Sequence, residues 1–73
     1  MRITYDRQAN TAYLHLTSQP SPASQVTTRA QPPPGSDAFI ALDWHGEQLV
    51  GIEILDASTL LPADLLDQAE TSS

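Results

Sequence analysis

Few side chains in this sequence could do acid–base or metal chemistry. They are Asp6, Asp43 and Glu53, together with His15 and His45. Glu53 lies inside the apolar run Val50-Gly51-Ile52-Glu53-Ile54-Leu55, where a carboxylate could serve as a raised-pKa acid or a metal ligand. Burying an unpaired charge costs several kcal/mol, so the expected role is a carboxylate that faces solvent or an interface and accepts a hydrogen bond. Asp6 and Asp43 are expected to open hairpin turns, where an aspartate accepts backbone N–H groups. His15 and His45 show no His-x-His or His-x-x-x-His spacing, and no cysteine is present to complete a zinc set. The serines cluster in a proline-rich stretch and at the tail, without a Gly-x-Ser-x-Gly motif. The three glycines are absorbed by turns and strand pairing, which leaves no phosphate-binding loop. The expectation is therefore no catalytic, metal or cofactor site, and not an enzyme. The alternative is a small-ligand or metal-binding domain using Asp6, Asp43, Glu53 and the two histidines.

The elements that must position these groups are mainly strands. Ile3 and Tyr5 share one strand face, and Ala12, Leu14 and Leu16 share another. Placing both faces in one core sets Tyr5 opposite Ala12, Ile3 opposite Leu14 and Met1 opposite Leu16. The remaining four-residue loop, Arg7-Gln8-Ala9-Asn10, belongs to a common hairpin class, and Asn tolerates its left-handed last position. His15 then falls on the polar face with Arg2 and Tyr13.

A second hairpin is expected from Ala38–Asp43 and Glu47–Leu55. A two-residue His45-Gly46 turn would send Val50, Ile52 and Ile54 to the face opposite Leu42 and Ile40. A three-residue loop, Trp44-His45-Gly46, keeps the apolar sets together. It pairs Leu42 with Gln48, Ile40 with Val50 and Ala38 with Ile52, with Asp43 opening a type I turn and Gly46 at the left-handed position. Phe39 then covers Gly51 across the strands, and Glu53 lies on that same face near Asp37.

Between the hairpins, residues 18–37 form a Pro/Ser-rich connection. Within it Ser24–Ala30 reads as a weak edge strand, and Pro32-Pro33-Pro34 as an extended spacer. After Leu55, Asp56-Ala57-Ser58 caps a short turn, Pro62 suits a first helical position, and Ala63–Ala69 has helical composition. The expected fold is thus mainly β with a minor α part: a single small antiparallel sheet of two hairpins plus a weak edge strand, and a short C-terminal helix. One domain covers residues 1–69, and residues 70–73 are expected to fray.

Length and charge bound the function. The chain has 73 residues, nine Asp and Glu against three Arg, no Lys, and a net charge of −6. Phosphate-backbone binding needs clustered cations, so no direct nucleic-acid contact is expected. No apolar run reaches the roughly 18 residues of a membrane span, and the N-terminus lacks a basic-then-apolar pattern. A cytoplasmic location and no membrane contact are the corresponding expectations. A domain of this size buries a small core and is marginal alone, so a partner surface would help it.

With both hairpins placed, the chain resembles a family of small bacterial proteins, domain-of-unknown-function family 2283. The residues that carry the likeness are Ile3-Thr4-Tyr5-Asp6, Ala12-Tyr13-Leu14 with Leu16, and Asp43, Gly46, Leu49-Val50-Gly51-Ile52-Glu53-Ile54-Leu55, Ala57-Ser58. It spans residues 2 to about 61 apart from the proline-rich middle, which is longer here than the family's usual connection. The family usually carries an acidic residue where this chain has Asn10, so any acid or metal role for that loop is weakened. The resemblance implies a compact antiparallel sheet domain. The gene neighbourhoods of some members imply a role in neutralising small toxins.

The interaction reading gathers the remaining features. Both faces of the second hairpin are apolar, with Ile40, Leu42, Val50, Ile52 and Ile54 on one and Phe39, Ala41, Leu49 and Leu55 on the other. One face forms the core, and the other needs the C-terminal segment or a partner. A tryptophan in a loop serves either as an anchor for a partner or as a cover for the sheet end. Trp44, Phe39, Leu49, Leu55 and Glu53 are therefore the expected partner-binding residues of a homodimer. The acidic charge suits a basic protein as a further partner.

Overall fold

The computed structural model describes residues 1–19 and 25–72. Six strands, β1 (Arg2–Asp6), β2 (Thr11–His15), β3 (Val26–Ala30), β4 (Phe39–His45), β5 (Gln48–Leu55) and β6 (Glu70–Ser72), form one sheet in the order β3-β4-β5-β2-β1-β6. Neighbouring strands are antiparallel except β1 and β6. Two short helices, α1 (Ala57–Leu60) and α2 (Ala63–Asp67), lie between β5 and β6. The fold is mainly β, as expected, with a sheet that is mixed rather than purely antiparallel and with two helices rather than one.

The first hairpin has the expected register, with Ile3 facing Leu14 and Tyr5 facing Ala12. Its loop is built as its residue types require. The Asp6 carboxylate accepts the backbone N–H groups of Gln8 and Ala9 at 3.0 and 3.3 Å, and Asn10 closes the loop with φ 52°. The same periodicity places Ala12, Ile54 and Ala57 in the buried core, with Tyr5, Leu14, Ile40, Ile52, Leu60, Leu61 and Leu66 packed around them. Both helices thus contribute to covering one face of the sheet.

The second hairpin differs from expectation. His45 faces Gln48, so the loop is the two-residue Gly46-Glu47, with Gly46 at φ 62°. Positive φ at the first loop position only is the type II′ pattern. Trp44 faces Leu49 and Asp43 faces Gly51, which leaves Val50 as an extra residue on β5. This bulge absorbs the parity conflict that argued against a two-residue turn, because one inserted residue returns the following side chains to the other face. Beyond it Leu42 faces Ile52 and Ile40 faces Ile54, four residues from the expected partners. Asp43 and Trp44 consequently lie in β4 and not in a turn.

The edge strand is observed as Val26–Ala30, antiparallel to β4; its expected first residue, Ser24, and Pro20–Ala23 of the connection lie outside the described residues. Pro62 stands one position before α2. The expected frayed tail is also corrected. Glu70 and Thr71 pair in parallel with Thr4 and Tyr5, and Arg2 Nε donates to Glu70 Oε2 at 2.7 Å; Ser73 lies outside the described residues. Backbone pairing to the edge of β1 needs no apolar pattern, so composition alone does not reveal it.

Candidate functional site: the polar face and the free edge

The strand registers place the chemistry-bearing residues in rows on the face opposite the core. Arg2, His15, Gly51, Asp43 and Thr27 follow one another across β1, β2, β5, β4 and β3. Thr4, Tyr13, Glu53, Ala41 and Arg29 form the adjacent row. Thr11, Leu55 and Phe39 lie beyond it.

Asp43 is the centre of this face. It is buried, 8% exposed, and its two carboxylate oxygens accept separate hydroxyl donors. Tyr13 Oη donates to Oδ2 at 2.6 Å and Thr27 Oγ1 to Oδ1 at 2.7 Å. Tyr13 reaches Asp43 by crossing Gly51 of β5, where a Cβ would stand less than 3.0 Å from the Tyr13 ring and hydroxyl. A glycine inside a strand marks this kind of close approach. The ring of His15 packs 4.6 Å from that of Tyr13, and His15 Nε2 is 3.2 Å from Thr4 Oγ1.

The electrostatics favour the protonated form of Tyr13. Burial, the hydrogen bond to Asp43, and the charges of Asp43 and Glu53 push the Tyr13 hydroxyl up to about 12. A phenol so raised remains a hydrogen-bond donor at neutral pH. Among the described residues every buried side-chain polar atom has a hydrogen-bond partner. The cluster is a closed network tying β2, β4 and β3 together across β5.

The carboxylates and histidines named for a ligand site are dispersed. Asp6 is engaged by its own loop, Asp43 by Tyr13 and Thr27, and His45 is exposed at the end of β4. Glu53 lies between Tyr13 and Ala41 on the polar face, and not near Asp37. Among the described residues no group of three His, Cys, Asp or Glu is placed to hold a metal ion, and no helix is long and apolar enough to cross a membrane.

Of the five residues named for partner binding, Phe39, Glu53 and Leu55 share the polar face. Phe39 faces Leu55 and not Gly51, and the Arg29 guanidinium lies 4.8 Å over the Phe39 ring. Trp44 and Leu49 face each other on the other side of the sheet, where Trp44 Nε1 donates to Thr28 Oγ1 at 2.8 Å. Leu49 is moved from the Phe39 face by the bulge. The role of Tyr13 and Thr27 escapes a reading that assigns Gly51 to Phe39; the mid-strand glycine was the signal for it.

The profile of the family described as "Protein of unknown function (DUF2283)" matches residues 2–58, from β1 into α1. The chain belongs to the DUF2283 family. The match covers both hairpins and the Tyr13–Gly51–Asp43 crossing, and ends before α2 and β6. No curated protein and no solved structure gives a significant match.

The remaining feature of this DUF2283 chain is the rim of its sheet. Among the described residues β3 is bonded to β4 alone, on one side. Four of its five residues are exposed, and Val26 retains 60% of its surface. An unpaired strand edge of this kind is a template for a further strand.

Proposed function

We propose that this DUF2283 protein is a non-catalytic protein-interaction module that self-associates as a homodimer through the free edge of its sheet. The observation that carries the reading is the outer side of β3, which no described residue pairs, with Val26 exposed at its start. Strand addition at such an edge supplies main-chain hydrogen bonds, and alternate side chains give selectivity. The polar face supports the same reading, because the Asp43 cluster spends its hydrogen-bonding capacity internally. A group that is already bonded and holds its proton offers little to a reacting substrate.

The net charge of −6 adds a preference for basic proteins as further partners, of the kind that a toxin-neutralising role requires. Light scattering at low micromolar concentration tests the central reading. A mass of twice 7.9 kDa is the expected result. A well-folded monomer under the same conditions would refute it.

A further inference from the structure

The interaction reading names the edge, and the residues of β3 define how a second copy fits it. β3 pairs with β4 through five consecutive residues without a register shift. Val26–Ala30 contains no proline and no lysine, two of the usual devices that blunt an exposed edge. Prolines stand on both sides of it in the sequence, at Pro20 and Pro22 and at Pro32–Pro34. Proline cannot donate to a ladder, so they confine pairing to this short segment.

Charge suits a second copy. Between Arg7 and Asp37 the only formally charged residue is Arg29, so the acidic residues that make two copies repel one another lie outside this stretch. Among the described residues Arg29 makes no ion pair, its guanidinium resting on Phe39. On the same face Asp43 stands diagonally across from Arg29, its carboxylate accepting from Thr27.

We propose that two copies pair β3 with β3 antiparallel about a two-fold axis through Thr28, so that Arg29 of each strand stands opposite Thr27 of the other and extends the Tyr13–Asp43–Thr27 row with a cation. Directly opposed residues of a ladder share a face, so an axis normal to the sheet must pair residues of equal parity. An axis through Arg29 would oppose two like charges. An axis through Thr27 would match only three residues of β3 with one another. The axis through Thr28 matches all five, with Val26 against the partner's Ala30, and keeps the helices of both copies on one side.

The inference rests on the interaction reading and is tested separately from it. The chain has no cysteine, so Thr28→Cys introduces one thiol. The axis brings the two Cα atoms to about 4.5–5.5 Å, within the roughly 4.4–6.8 Å that a disulfide needs. Oxidised Thr28→Cys should be recovered mainly as a covalent dimer. Val26→Cys alone, out of register by four residues, should not. A mixture of Val26→Cys and Ala30→Cys should give the mixed dimer, which also covers the case that losing the Trp44–Thr28 bond unfolds the first variant. Arg29→Glu should weaken association about tenfold, since it sets two carboxylates beside Asp43 residues across the axis, whereas Arg29→Lys should retain it. A non-covalent dimer that fails to cross-link in either design overturns this register and leaves the interaction reading standing. A monomer by light scattering overturns both.

Discussion

Tyr13 of β2 and Asp43 of β4 are joined by a 2.6 Å hydrogen bond across β5, the strand that separates them. The bond exists because Gly51 of β5 has no side chain at the crossing. It links β2 to β4 over the intervening β5, and the carboxylate is buried, so the bond forms in surroundings where an unmet acceptor is costly.

Tyr13→Phe should therefore destabilise the fold by about 1–3 kcal/mol, leaving one oxygen of a buried carboxylate without its donor. Urea denaturation at neutral pH measures this. A change below about 0.5 kcal/mol, the range of ordinary surface substitutions, would show that the network contributes little.

The raised Tyr13 hydroxyl carries a pH dependence with a defined sign. Its folded value is about 12 against 10.0 for an ordinary tyrosine. Below pH 10 both folded and unfolded chains hold the proton, and the contribution is complete. As pH rises from 10 to 12 the unfolded chain loses its proton first, so stability falls. Ultraviolet titration should show one tyrosine ionising near 12, and Tyr13→Phe should remove that step.

Gly51→Ala places a methyl group under the Tyr13 ring and hydroxyl. Tyr13 must swing off Asp43 or the strands must separate, at a cost of about 1–3 kcal/mol. Thermal unfolding measures the loss. In the Tyr13→Phe background the penalty should change, because the same contact is involved in both substitutions.

Asn10 couples the first hairpin to α1. Its side chain receives Tyr5 Oη and the Ser58 N–H, and donates to Asp56 and Ser58, while its carbonyl accepts Ala57 N–H. Asn10→Ala removes the side-chain bonds and leaves alanine at φ 52°, an expected loss of about 2–4 kcal/mol. Asn10→Gly relieves the backbone part and should be the milder variant in the same denaturation experiment.

The first hairpin is legible in the sequence because two independent signals agree. The alternation of Ile3 and Tyr5 with Ala12 and Leu14 admits one register, and Asp6 and Asn10 supply the loop that this register needs. The second hairpin is under-determined. Apolar residues on both faces of β4 and β5 satisfy several registers, and the bulge at Val50 removes the parity argument that would choose among them. Once that register slips, the Tyr13–Asp43–Thr27 network is lost with it, since Asp43 is assigned to a turn. The polar β6 carries no signal at all, because it is held by main-chain pairing and the exposed Arg2–Glu70 contact.

Self-association through β3 requires that its outer edge be occupied in solution. Amide hydrogen exchange resolved by residue, followed as a function of protein concentration, tests it most directly. Antiparallel pairing protects alternate outward-facing amides, so exchange at alternate residues of Val26–Ala30 should slow as concentration rises. The β6 edge should not respond. Exchange in β3 that is independent of concentration, in a protein that is folded throughout, would contradict the account.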